Sequence, residues 1–160
     1  KGFFLSLNTN FVYGNKIFNY NRLSLDADGA YLGYNQISLE NNGLGWTRWE
    51  KAGDIATHPK LVMNGNKSSN NISSRYLEDG SFFRIKNLKI GYDVPAKVLR
   101  LAHIQNCKFY VSGDNLFTLT RFSGMDPEVS IRTSAYSLAG LYSDNYPVSR
   151  QILVGVEFGF

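Results

Sequence analysis

Residues 148–160 alternate without a break. Val148, Arg150, Ile152, Val154, Val156, Phe158 and Phe160 fall on one parity, and Ser149, Gln151, Leu153, Gly155, Glu157 and Gly159 on the other. A period of two sends these sets to opposite faces of an extended strand. The even face carries five consecutive large apolar side chains, from Ile152 to Phe160. Globular strands usually run to roughly 5–6 residues. A run of this length matches instead the roughly 9–11 residues with which a tilted strand crosses a membrane.

Three further segments share the pattern. Residues 3–13 set Phe3, Leu5, Leu7, Thr9, Phe11 and Tyr13 against Phe4, Ser6, Asn8, Asn10 and Val12. Residues 107–119 set Phe109, Val111, Phe117 and Leu119 against Lys108, Tyr110, Ser112 and Asp114, with Gly113 and Asn115 interrupting the apolar face. Residues 82–94 are less regular, because Leu88, Ile90, Tyr92 and Val94 share their parity with Arg84 and Lys86. Either the outer half of that strand stands above a membrane, or a bulge switches its face. Strict alternation would send Lys89 to the face opposite Arg84 and Lys86, so that the three make no single basic patch.

The connectors run long, short, long: residues 14–81, about 93–106, and 121–147. A loop as long as the first counts against a compact soluble domain. Extended external loops alternating with compact periplasmic turns are the pattern of outer-membrane barrels, in which a chain ending on Phe160 is also usual. If the first strand rises from the periplasm, the fourth returns to it. Within the connectors, residues 30–39 (Tyr31, Tyr34, Ile37) read as a short extra hairpin. Val98, Leu99, Leu101 and Ile104 read as a helical turn after Pro95, and the Asn/Ser-rich residues 64–74 as loop.

Composition excludes several alternatives. No apolar run approaches the ~20 residues of a membrane helix, and a mean hydropathy of −0.24 suits alternating strands. The net charge of +4 arises from 17 basic and 13 acidic residues without a basic run, which reads as ordinary surface and not as a nucleic-acid patch. The single Cys107 excludes an intramolecular disulfide framework and reads as a small apolar filler; with only His58 and His103, a Cys/His metal site is short of ligands. No signal-peptide pattern follows Lys1. Ser-His-Asp order, H-E-x-x-H and phosphate loops are all missing, so neither an enzyme nor a cofactor is expected. Asp126-Pro127-Glu128 reads either as a calcium or polar-ligand site or as a Pro-fixed turn capped by Asp126, and the turn is favoured. Glu157, on the polar side of the last strand, is expected to pair with a basic residue, and Tyr13 and Tyr92 suit an interfacial girdle.

Several motifs then resemble one family. Residues 76–92, Tyr-Leu-Glu-Asp-Gly-Ser-Phe-Phe-Arg-Ile-Lys-Asn-Leu-Lys-Ile-Gly-Tyr, resemble the "DGSYLRLKNLTLGY" element of the SusC/RagA family of TonB-dependent outer-membrane transporters, and Pro95 follows as in that family. Residues 109–120, Phe-Tyr-Val-Ser-Gly-Asp-Asn-Leu-Phe-Thr-Leu-Thr, are similar to its "VYVSGQNLFTFT", and residues 124–128 to its "GxDPE". Tyr146-Pro147, Arg150 and the closing Gly155-Val-Glu-Phe-Gly-Phe resemble its last strand. Residues 46–51 and 1–3 resemble it more loosely. Asp114, where the family has an amide, and Cys107 are departures.

The resemblance implies an all-β fold: antiparallel strands from the C-terminal part of a transmembrane barrel of about 22 strands, with long extracellular loops. Four strands close no barrel, since the smallest have about eight; the plug domain and the remaining strands would precede Lys1. Implied partners are a SusD-like surface lipoprotein acting as a lid, the TonB complex through the plug, the barrel-assembly machinery and outer-membrane lipid. The implied role is import of oligosaccharides or peptides at the bacterial outer membrane. Loop aromatics Tyr31, Tyr34, Trp46, Trp49, Tyr136 and Tyr142 become candidate ligand or lid contacts, with loop packing as the plainer alternative. Val156, Phe158 and Phe160 become a candidate assembly signal. The competing readings are a soluble carbohydrate-binding β-sandwich, which would need evenly spaced short turns, and another porin or adhesin barrel.

Overall fold

The computed structural model describes residues 2–26, 28–30, 45–63, 65, 68–69, 71–100, 104–128, 130–132, 137–143 and 146–160. In chain order, its elements are β1 (Phe3–Val12), β2 (Lys16–Asn19), α1 (Tyr20–Leu25), a 3-10 turn (Ser74–Tyr76), β3 (Leu77–Asp79), β4 (Phe82–Asp93), α2 (Ala96–Leu99), β5 (Asn106–Thr120), β6 (Ser130–Arg132), β7 (Ser137–Ala139), β8 (Leu141–Tyr142) and β9 (Gln151–Gly159). They form two compact units. The first comprises Lys1–Tyr13, Ser81–Arg121 and Pro147–Phe160, the second Gly14–Gly80 and Phe122–Tyr146.

The first unit is a four-stranded antiparallel sheet in the order β1-β4-β5-β9. Its strands are built from the aromatic and β-branched residues that suit a pleated surface. The short connector closes tightly: Pro95 precedes α2, the Val98 N–H donates to Pro95 O at 3.0 Å, and Leu99 is buried. The Val94 N–H donates to Cys107 O at 3.0 Å, which continues the ladder to the end of β4. Cys107 itself is buried and free.

A bulge resolves the irregular strand. The β1–β4 register advances by one residue on β1, from Asn8 to Thr9, while β4 advances from Asn87 to Ile85, leaving Lys86 as the extra residue. The face therefore switches at Lys86, and Phe83 and Ile85 join Leu88, Ile90 and Tyr92. Arg84 pairs with Asn10 and Lys89 with Ser6, so the two cations share a face. Unbroken alternation would have separated them; the extra residue brings them together. The β4–β5 register shifts at the same level, where β5 runs from Asp114 to Phe117. Here Asn115 adopts φ of 51°, a left-handed conformation that Asn tolerates better than most residues. Leu116 folds back over Gly113, where an added Cβ would stand 2.6 Å from its Cδ2. The Ser-Gly-Asp-Asn-Leu-Phe-Thr motif thus encodes this bulge.

The second unit holds a three-stranded sheet, β3-β2-β8, and the hairpin β6-β7. Among the described residues its apolar core comprises Ile17, Phe122 and Tyr142, with the Phe122 and Tyr142 rings edge-to-face at 5.2 Å. The proposed hairpin at residues 30–39 lies outside the described residues, apart from Ala30.

Candidate functional site

Particular rows of the four-stranded sheet keep one chemical character from strand to strand. Leu5, Ile90, Val111 and Val154 stand side by side across all four strands. They are 68%, 50%, 49% and 76% exposed. The neighbouring row, Phe3, Tyr92, Phe109 and Val156, is also apolar, with Phe3 and Tyr92 ring centroids 4.9 Å apart. On the opposite face Asn8, Asn87, Asp114 and Gln151 form a polar row, within which Asn87 Nδ2 donates to Asp114 Oδ1 at 2.6 Å. The same face carries Arg84, whose Nε donates to the Thr118 hydroxyl at 3.0 Å, and Lys89, whose Nζ lies 3.8 Å from the Tyr110 ring centroid. Tyr110 covers Gly155, where an added Cβ would meet its ring at 2.3 Å. Glu157 pairs with Lys108 at 3.9 Å, in the manner expected of it.

An exposed apolar face this large has no place in water, where contiguous apolar patches rarely exceed a few hundred Å². Bilayer hydrocarbon tolerates it, provided that the strands satisfy one another's backbone groups. With the paired charged residues confined to the other face, the sheet has the alternation of an outer-membrane barrel wall. A sandwich would require a second sheet packed on the apolar face, and that face is exposed.

Among the described residues of the second unit, the loop unit, charged side chains form a dense cluster. Asp26, at the C-cap of α1, accepts hydrogen bonds from Arg22 Nε at 2.8 Å and His58 Nε2 at 3.0 Å. Asp28 accepts from Arg48 Nη1 at 2.9 Å, Arg75 Nη1 at 2.9 Å and the Ser69 hydroxyl at 3.1 Å. Glu78 accepts from Arg22 Nη1 at 3.2 Å and Asn19 Nδ2 at 3.2 Å through Oε1, and from the Ser123 N–H at 2.8 Å through Oε2. Asp26, Asp28 and His58 are all buried. Burial alone would raise the Asp26 carboxyl, but hydrogen bonds from His58 and Arg22, with their charges, hold it below the ordinary carboxylate value. Burial pushes the Tyr76 phenol up, against the opposing pull of Arg75.

The sequence-derived candidates separate in this frame. Trp46 packs: the Arg22 guanidinium lies 4.2 Å from its ring centroid and the His58 ring 5.1 Å away. Tyr142 is 3% exposed in the small core, and its hydroxyl accepts the Met125 N–H at 3.2 Å, which makes it a packing residue and not a surface contact. Trp49 is 37% exposed, on a loop whose turn is capped by Asp54 Oδ2 accepting from the Glu50 and Lys51 N–H groups at 3.1 and 3.0 Å. Tyr31, Tyr34 and Tyr136 lie outside the described residues. Val156, Phe158 and Phe160 are exposed, and β9 pairs on one side only among the described residues. Asp126 Oδ1 accepts the Glu128 N–H at 2.8 Å, the capped turn expected there. Sequence reasoning missed the charge cluster. Its members are scattered from Asn19 to Ser123, and only the i,i+4 pair Arg22–Asp26 leaves a local signal.

No family model matches the chain. It is 30% identical, over its whole length, to TonB-dependent receptor P3 of Formosa agariphila and 26% identical over 99% of its length to receptor P39 of the same organism. The chain spans 15% of either relative. Its fold superposes over its full length on the RagAB peptide importer in the closed-closed state (25% identity) and the open-open state (26%), with a TM-score of 0.73 to each and 16% of those chains covered. The fold and the partition of its faces define an outer-membrane barrel segment. With these relatives, the chain belongs to the SusC/RagA family of TonB-dependent receptors.

Proposed function

We propose that the chain forms part of the barrel wall and extracellular loops of a TonB-dependent outer-membrane importer. The observation that carries this reading is the exposed row Leu5, Ile90, Val111 and Val154, backed by the polar row Asn8, Asn87, Asp114 and Gln151. The first faces hydrocarbon and the second the lumen. Likeness to the RagAB peptide importer supports a SusD-like surface lipoprotein as partner and a peptide as cargo, with an oligosaccharide as the other cargo that the family resemblance allows. Energy coupling through TonB belongs to a plug domain that precedes the present segment. Of the candidate aromatics Trp46, Trp49 and Tyr142, Trp49 is the most exposed and so the one most open to lid or cargo. Val156, Phe158 and Phe160 provide an exposed apolar strand end for the barrel-assembly machinery, in the manner of strand addition to a sheet edge.

The test compares neighbouring residues of β9 in the full-length receptor. Ile152→Lys places a charge in the hydrocarbon at a cost of about 2–4 kcal/mol at mid-membrane depth, and outer-membrane yield should fall. Gln151→Lys faces the lumen and should leave yield near wild type. Equal yields from the two variants would contradict the assignment of faces.

A further inference from the structure

We propose that Tyr110 and Gly155 form a register key, a ring on β5 seated in a notch on β9, which selects one alignment of β9 from those that its alternation allows. The row Phe4, Gly91, Tyr110 and Gly155 crosses all four strands, with a ring opposite a glycine at every step. Phe4 covers Gly91 and Tyr110 covers Gly155. A Cβ added to Gly91 would stand 2.6 Å from Phe4 Cε1, and one added to Gly155 would stand 2.5 Å from Tyr110 Oη and 2.8 Å from its Cε1. These are closer than side-chain carbons approach, so the rings fill the space that a side chain would need. From β4, Lys89 also reaches the Tyr110 ring, with Nζ 3.8 Å from its centroid. Gly159 receives a second side chain of β5: a Cβ added there would stand 2.8 Å from Asn106 Cγ. Gly155 and Gly159 are the two residues of β9 that are not exposed.

The need for a key follows from the period of the strand. A slip of one residue sends every side chain to the wrong face, which the contrast between the faces opposes. A slip of two keeps every side chain on its own face, and the apolar face does not resist it. That face pairs Cys107 with Phe158, Phe109 with Val156 and Val111 with Val154. Moved by two, Phe109 would meet Val154 or Phe158, and Val111 would meet Ile152 or Val156, all of them apolar.

The face that carries Tyr110 does discriminate. Its successive pairs are Asn106 with Gly159, Lys108 with Glu157 and Tyr110 with Gly155. Moved by two, the Tyr110 ring would meet Leu153 or Glu157, whose side chains fill the notch, and Lys108 would face a glycine. Such directly opposed pairs are the contacts that favour one alignment of two strands over another. The ring carries more of this choice than the ion pair, because the Lys108 and Glu157 side chains are 40% and 56% exposed and pairs open to solvent contribute little. The key concerns strand alignment alone and holds whether or not the apolar face meets lipid.

Cross-linking in the full-length receptor, with Cys107 replaced by Ser, tests this. Leu153→Cys is combined with Ser112→Cys, its partner in the register described. The two slips by two residues are reported by Ser112→Cys with Gln151→Cys and by Asp114→Cys with Leu153→Cys. With a short bifunctional thiol reagent, folded receptor should give about tenfold more product from the first pair than from either of the others. Tyr110→Phe should keep that ratio. Tyr110→Ala, which removes the ring, and Gly155→Val, which fills the notch, should each lower it by about fivefold. Tyr110→Leu keeps bulk without a flat ring and should lower it likewise, which decides the matter where the other variants yield no folded receptor. An unchanged ratio in the leucine or alanine variant, or a phenylalanine variant that falls as far as alanine, would overturn the key.

Discussion

Asp26 draws three basic side chains to one oxygen: Arg22 at 2.8 Å, His58 at 3.0 Å and Arg75 at 3.8 Å. Removing the carboxylate strands those partners in a buried site, which typically costs about 3–5 kcal/mol. Asp26→Ala should accordingly release the loop unit to rapid hydrogen exchange while leaving the β4–β5 ladder protected; a loop unit that stays protected would show that Asp26 holds nothing. The pH dependence follows from the direction of the shift. A carboxyl held below its ordinary value stabilises the folded form fully above the unfolded value, here 3.8, and loses that contribution as the pH falls through the lower folded value. Loop protection, corrected for intrinsic exchange, should therefore be level from pH 8 to about 5 in this contribution, then fall only on acidification below 3.8. A fall confined to the neutral range would point to a different group.

At the scale of elements, the bulge carries the local information of the sheet. Asn115, at φ of 51°, is the residue that lets β5 absorb its extra length, and its Nδ2 donates to Ser149 O at 3.1 Å. Asn115→Val forces a β-branched residue into a strained conformation at a cost of about 1–3 kcal/mol. Asn115→Gly relieves the strain and loses only the side-chain bond. Heat-resistant folded receptor on a gel should diminish for the valine variant and persist for the glycine variant; equal loss would make the amide hydrogen bond the important part. The long strands were legible from the alternation, which marked 3–13, 82–94, 107–119 and 148–160 where the structure has Phe3–Val12, Phe82–Asp93, Asn106–Thr120 and Gln151–Gly159. A period of two reads one strand at a time, so it detected the conflict at Arg84 and Lys86 without settling it. The register with β1 and β5 settles it, and register is a property of pairs. The charge cluster left still less trace, because ion pairs between residues tens of positions apart have no sequence period. Whether Tyr142 packs or meets a ligand was left open for the same reason: only contact with Phe122 reveals its burial.

At the scale of the whole molecule, the two units differ in the interactions that hold them. The sheet keeps its apolar residues outward and gains its order from strand pairing. Among the described residues, the loop unit has a small apolar core beside a cluster of buried charge. Asp114, a carboxylate in a row of amides, accepts from Asn87 and sets a charge on the polar face of the sheet. The exposed end of β9 makes an assembly prediction. Deleting Phe160 from the full-length receptor should lower its outer-membrane yield, and unchanged surface yield would remove this residue from the assembly signal.

The central claim is that one face of this sheet meets lipid and the other the barrel lumen. Nitroxide scanning of residues 151–158 in the full-length receptor, reconstituted in bilayers with Cys107 replaced by Ser, tests it residue by residue. Accessibility to oxygen, which partitions into lipid, should peak at positions 152, 154, 156 and 158. Accessibility to a water-soluble nickel reagent should peak at 151, 153 and 157, Gly155 being covered by the Tyr110 ring. Uniform accessibility to the nickel reagent along β9 would contradict a membrane-facing sheet and return the chain to a water-soluble fold.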